Sequence, residues 1–179
     1  MHNLIALDAL GPRICICGPS NAGKSTLAAA IARKQGLPAV HLDQLYHFPD
    51  TNWQPRPPEE FARLHAEAIA EDRWAMEGNY FALVPSRLTR ATGIILLGSE
   101  PWRGLLRYVR RTLFEKERHG HIKGGQDHLN WMMIKIILVQ QPRKRQRDLG
   151  ILSASGLPMV QLNSLRELND CYRTWQLQR

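Results

Sequence analysis

A chain of 179 residues, 44% hydrophobic and 22% charged, is long enough to bury one core without disulfide or metal staples. No apolar run approaches the roughly 18–20 residues of a membrane span, the opening MHNLIALDALGPR lacks a secretory pattern, and three cysteines cannot all pair, so one soluble domain (residues 1–179) in a reducing cytoplasm is expected. Lysine and arginine outnumber aspartate and glutamate 24 to 16, and the net charge of +8 favours anionic partners: nucleotide phosphates, nucleic acid or an acidic surface.

Taken in chain order, the elements alternate in the βα manner of a mostly parallel sheet covered by helices. RICICG reads as a short buried strand, followed by a glycine-rich turn and a helix from Lys24 to about Gln35, closed by Gly36 with Pro38 beyond. AVHLD, Ala39–Asp43, is a second strand candidate, and QLYHFPDTNWQPRPP is an irregular aromatic and proline-rich segment. A helix begins near Pro58, with Glu59 and Glu60 at its positive end and Phe61, Leu64, Ala68 and Ile69 on an apolar face. RWAMEGNY and TGIILLGSEP are the third and fourth strands, the second of them apolar enough to be central. A basic helix then follows Pro101, a Gly- and His-rich loop comes next, and an apolar helix spans about Leu129 to Gln140 ahead of PRKRQRDLG. Leu157–Leu162 is the fifth strand, and SLREL opens the last helix.

Gly18-Pro19-Ser20-Asn21-Ala22-Gly23-Lys24-Ser25 fits G-x-x-x-x-G-K-[ST], and Thr26 extends it. Glycines let the backbone fold back so that successive N–H groups converge on phosphate oxygens, and the helix behind adds its positive end. Lys24 is placed to neutralise the β- and γ-phosphates, and the Ser25 hydroxyl to ligate Mg²⁺. The setting between an apolar strand and a capped helix predicts a bound nucleoside triphosphate, ATP, with Mg²⁺.

Acids at the C-terminal ends of parallel strands lie where such sheets bind ligands. Asp43, Glu77 and Glu100 meet that condition, and each can hold Mg²⁺ through water, act as a base, or be a solvated loop acid. Arg107 and Arg111 stand four apart on one helix and share a face; they can clamp a transferring phosphoryl group or form a solvated basic face.

The layout resembles the small P-loop kinases of the adenylate kinase and shikimate kinase group. It is more closely similar to the adenylate-kinase-like DNA topology modulation proteins, through GPSNAGKST, HLDQLYHFP with WQPRPPEEF, AMEGNY, EPWRGLLRYVRRTL and PMVQLNSLREL, which cover nearly all the chain from Arg13 onward. The resemblance implies a three-layer α/β/α fold with a five-stranded parallel sheet of order 2-3-1-4-5. It also implies an acceptor-binding segment over about 43–72 and a small helical lid over about 112–130. Glu77 falls where these kinases place the acid whose waters hold Mg²⁺, and Arg107 and Arg111 fall on lid-helix arginines that contact the nucleotide. NSLREL resembles the loop that cups the base, with Arg166 its candidate. Asp43 matches the strand-end acid of the hydroxyl-phosphorylating members, where it touches the acceptor. The implied activity is transfer of the γ-phosphate of MgATP to a small molecule.

A hydroxyl acceptor benefits from a carboxylate that orients it and takes its proton, whereas a phosphate acceptor needs arginine clamps more than a base. Asp43, with Tyr46, Phe48 and Trp53 after it, suggests an acceptor pocket with an aromatic wall; the alternative is that these rings pack a subdomain onto the core. Arg56 and Arg87 can bind an anionic group on the acceptor or be surface arginines, and Asn79 joins Glu77 on the substrate side. His119, His121 and His128 lie near the expected lid, read as a polar loop rather than a metal site. A competing reading, a nucleotide-dependent regulator or DNA-binding protein, draws on the basic clusters; no reader module is recognisable in the sequence to support it. No membrane partner is expected.

Overall fold

In the computed structural model, which describes residues 4–98, 101–114 and 131–178, five strands carry the fold. They are β1 (Arg13–Cys17), β2 (Ala39–His41), β3 (Trp74–Glu77), β4 (Gly93–Leu97) and β5 (Met159–Leu162). All pair in parallel, in the order β2-β3-β1-β4-β5, as expected. The helices are α1 (Lys24–Gln35), α2 (Leu42–Tyr46), α3 (Pro58–Ala70), α4 (Val84–Leu88), α5 (Pro101–Phe114), α6 (Trp131–Lys135), α7 (Gln141–Ser153) and α8 (Leu165–Thr174).

Strand alternation splits the core in two. Ile14 and Ile16 of β1 face a cluster with Leu27 and Ile31 of α1 and Leu168 and Tyr172 of α8. Cys15 and Cys17 face the opposite side, with Ile69 of α3, Val84 of α4 and Leu152 of α7. Helices therefore cover both faces of the sheet, and a parallel sheet buried on both faces explains why IILL carries no polar residue. Among the described residues, no helix is long and apolar enough to cross a membrane.

Some expectations change in detail. β2 stops at His41, and Asp43 stands in the first turn of α2 rather than at a strand end. Leu42 turns inward, completely buried, and the His47 N–H closes the new turn on the Asp43 carbonyl at 3.1 Å. An acid early in a helix suits its positive end, so HLDQ favours helix entry over strand continuation. On α3, Phe61 and Ile69 are buried as expected, but the third buried residue is His65, with Leu64 and Ala68 only half covered.

The helix expected over Leu129–Gln140 is described from Trp131 on, Leu129 lying outside the described residues; it passes through a π-helical turn at Ile136–Gln140 and runs on into α7. Pro142 has no N–H to offer, which breaks the regular ladder there and accounts for the wider turn. The RKRQR run consequently lies on a helix, with Arg143 through Arg147 exposed. The last helix starts as SLREL predicts: Ser164 caps the Glu167 N–H at 3.2 Å, and the Glu167 carboxylate reaches back to the Asn163 N–H at 2.8 Å.

Candidate functional site

β1 ends at Cys17, and the chain enters the phosphate-loop motif at Gly18, whose φ is 144°. A Cβ at Gly18 would stand 2.5 Å from the Leu97 carbonyl oxygen, so only glycine lets the loop leave between β1 and β4. Asn21 (φ 62°) and Gly23 (φ 94°) turn the loop back on itself, and Gly23 becomes the N-cap of α1 without any side-chain cap. The first amides of a twelve-residue helix thus meet the loop interior with no capping side chain, an arrangement suited to an anion. Within the loop, both polar side-chain atoms of Asn21 are buried and lack a hydrogen-bond partner. Lys24 Nζ donates to the Pro19 carbonyl at 2.9 Å, spanning the loop from helix to entry.

The carboxylate of Glu77 arrives from β3. Parallel register sets Glu77 beside Ile16 on one flank and His41 on the other, at the C-terminal end of the sheet. The Ser25 hydroxyl donates to Glu77 Oε1 at 3.0 Å, and His41 Nδ1 meets the same oxygen at 3.0 Å. Glu77 is only 4% exposed. Burial pushes its carboxyl up, but the His41 bond, the Lys24 charge and the Ser25 hydroxyl outweigh that and hold its pKa below the ordinary glutamate value. Glu77 is therefore a buried, ionised carboxylate hydrogen-bonded directly to the loop's own serine.

Two residues past Glu77, Asn79 Oδ1 accepts the Gly18 N–H at 3.0 Å and buckles the loop entry to the end of β3. Tyr80 follows in a left-handed conformation (φ 31°) and donates its phenol to Asp43 Oδ1 at 2.6 Å. Burial and the neighbouring Asp43 carboxylate push the phenol well above its ordinary range, so it stays a donor. Arg107 reaches in from α5, its Nε donating to the Asn21 carbonyl at 2.6 Å.

The structure thus pairs Gly18 with Asn79, Asn21 with Arg107 and Ser25 with Glu77 around the loop that Lys24 spans, and Tyr80 ties Asp43 to the turn after β3. Arg111 lies one turn after Arg107 on α5, and its side chain is outside the described residues. So are Glu100, the three loop histidines and residues 115–130 of the lid expected over about 112–130. Arg166 is exposed on the first turn of α8, the helix whose Leu168 a Cβ on Gly23 would meet at 3.5 Å.

The aromatic segment is engaged with itself. Tyr46, Phe61 and Tyr80 form a three-ring cluster with centroids 4.9–5.1 Å apart, and Trp53 stands edge-on to His47 at 5.3 Å. Arg56 stacks over Phe48 at 4.4 Å and pairs with Glu60 at 2.8 Å. These contacts pack the segment onto α3, the role that the alternative reading of the rings describes.

Arg87 departs from both of its expected roles. It is neither at the surface nor open to a ligand: at 0% exposure it lies in the core, among Gly78, Asn79, His65 and Cys15. His41, Tyr80 and His65 are the other contributors the sequence reading missed. His41 was findable, because aligning the ends of AVH and AME puts it level with Glu77.

Among the described residues, no three His, Cys, Asp or Glu side chains stand together as a metal site. A Mg²⁺ ion that arrives with a polyphosphate needs less from the protein, and one hydroxyl beside one buried carboxylate is a suitable donor set. The architecture is an α/β fold compatible with the P-loop NTPase class. No family model matches the chain, and no curated protein sequence matches it.

Proposed function

We propose that this chain is a P-loop phosphotransferase of the adenylate and shikimate kinase-like kind, moving the γ-phosphate of MgATP to a small-molecule hydroxyl compound or nucleotide. The observation that carries the reading is the Ser25–Glu77 bond, which sets a buried carboxylate against the hydroxyl that opens α1. A glycine-rich turn alone needs no such acid; a triphosphate-bound divalent ion does.

In this reading the loop amides and Lys24 bind the β- and γ-phosphates, and Arg107 stiffens the loop through Asn21. When bound, Mg²⁺ would supply neutralisation of the polyphosphate charge. Ser25 Oγ and Glu77 are the residues that would hold it. The acceptor oxygen forms its bond to the γ-phosphorus as the bond to the β,γ-bridging oxygen breaks, and a hydroxyl acceptor's proton passes to Asp43. Tyr80 fixes one oxygen of that carboxylate, leaving the other to meet the acceptor. Asn79 and Arg166 are the remaining binding candidates in this reading, while Tyr46, Trp53 and Arg56 are engaged in packing the aromatic segment.

A coupled ADP-release screen across nucleosides, nucleoside monophosphates, sugars and small hydroxy acids tests the reading. An acceptor that accelerates turnover, lost in Lys24→Ala and in Asp43→Asn, supports it; turnover that survives Asp43→Asn removes Asp43 from the acceptor site. The second reading, nucleotide-dependent binding to DNA, is favoured by one observation: the continuous exposed run Arg143–Arg147 on α7. Strongly salt-dependent DNA association, with no acceptor emerging from the screen, would select it.

A further inference from the structure

A buried guanidinium invites an explanation, because burying a cation is costly unless each donor is used. Arg87 sits on α4, and its fork is spread over three elements. Nη1 donates to the Gly78 carbonyl at 2.8 Å and lies 3.6 Å from Cys15 Sγ of β1. Nη2 donates to the Asn79 carbonyl at 3.3 Å, and Nε to His65 Nε2 of α3 at 3.3 Å. Among the described residues, no carboxylate pairs with it. His65 is neutral, its pKa lowered to about 4 by burial and by the Arg87 charge.

The two carbonyls it holds belong to the segment that leaves β3. That segment is not ordinary strand: Gly78 has φ 133° and Tyr80 has φ 31°. Gly78 is also pressed on Leu42, where a Cβ would stand 2.8 Å from the leucine Cβ. Glu77, Asn79 and Tyr80, flanking or within this turn, make the bonds to Ser25, to Gly18 and to Asp43. One side chain therefore fixes the turn from which three contacts of the site radiate.

We infer that Arg87 is a positioning residue for phosphoryl transfer: its guanidinium fork, anchored on His65, holds the Gly78–Asn79 turn so that Glu77, Asn79 and Tyr80 meet the phosphate loop and Asp43. The inference rests on the phosphotransferase reading above. What it requires is the planar fork rather than positive charge, since three donors in fixed directions serve two carbonyls and an imidazole. A lysine keeps the charge and loses that geometry. Arg87 bonds to neither the loop amides nor Lys24, and it reaches the loop backbone only through the Asn79–Gly18 bond, so nucleotide binding is less sensitive to it than the chemical step.

The test compares wild type, Arg87→Lys and Arg87→Ala by melting temperature, MgATP calorimetry and single-turnover MgATP hydrolysis with water as acceptor. The expected split for Arg87→Lys is MgATP affinity within about fivefold of wild type and a hydrolysis rate per folded molecule lower by about thirtyfold or more. Guanidinium ion, but not methylammonium, restores part of the rate to Arg87→Ala; if that variant does not fold, Arg87→Lys decides alone. A hydrolysis rate per folded molecule equal to wild type in Arg87→Lys would overturn the inference and reduce Arg87 to a core filler. Failure of the wild type itself to bind or turn over MgATP would instead strike the phosphotransferase reading, so the two failures are distinct.

Discussion

Tyr80 donates its phenol to Asp43 across 2.6 Å, joining the turn after β3 to the first turn of α2. The bond leaves the Asp43 carboxylate exposed but fixed in direction. In the phosphotransferase account, Asp43→Asn keeps MgATP affinity while lowering acceptor phosphorylation by about 10²–10⁴-fold. Tyr80→Phe keeps the carboxylate and loses only its orientation, so its loss is smaller, about tenfold. Calorimetry and the ADP-release rate, measured together, separate binding from transfer.

Ser25 and Glu77 act on one ion in this account, so their effects are not independent. Ser25→Ala and Glu77→Gln should each raise the Mg²⁺ concentration for half-maximal turnover by about tenfold, and the double variant by much less than the product. A magnesium titration at saturating ATP checks this. Full additivity would separate the two residues.

Gly18→Ala places a methyl group against the Leu97 carbonyl at a backbone angle that side chains avoid. We expect a loss of about 2–4 kcal/mol of stability and no measurable MgATP binding in the folded fraction. Urea unfolding followed by tryptophan fluorescence gives the first quantity, and calorimetry the second.

Acid should destabilise the fold through His65 and Glu77. The His65 pKa is lowered to about 4 in the folded chain from 6.5, so the unfolded chain binds the extra proton between those values. Stability from keeping His65 neutral is full above about pH 6.5 and declines by up to about 3 kcal/mol as pH falls to about 4. Glu77, with its pKa lowered below 4.5, adds a loss in the same direction as pH falls through its folded value. Urea midpoints at pH 7 and pH 4.5 test the sign, and His65→Leu should flatten the His65 part of the curve.

Much of the fold was legible because it rests on local pattern. The strand–loop–helix signal around GPSNAGKST gave α1 with both ends correct, and SLREL marked the start of α8. Asp43 was assigned to a strand because alternation in AVHLD persists past the point where buried Leu42 bends the chain into α2. The site was legible where it follows the motif and opaque where it depends on register and burial. His41 meets Glu77 only because β2 pairs with β3 at that level. Arg87 resembles any surface arginine in sequence, since nothing local announces that the carbonyls of Gly78 and Asn79, before its own helix, will need donors. Asn79 stood in a recognisable motif, yet its bond to Gly18 spans 61 positions of sequence and is a property of the sheet.

The central claim is that the loop between β1 and α1 grips a magnesium-bound triphosphate with Glu77 behind it. Titration calorimetry of wild type and Lys24→Ala with ATP, with and without Mg²⁺, tests it most directly. The account predicts saturable binding by wild type that strengthens with Mg²⁺ and is abolished in a folded Lys24→Ala protein. Binding that is absent in wild type, or equal in the two proteins, would contradict it.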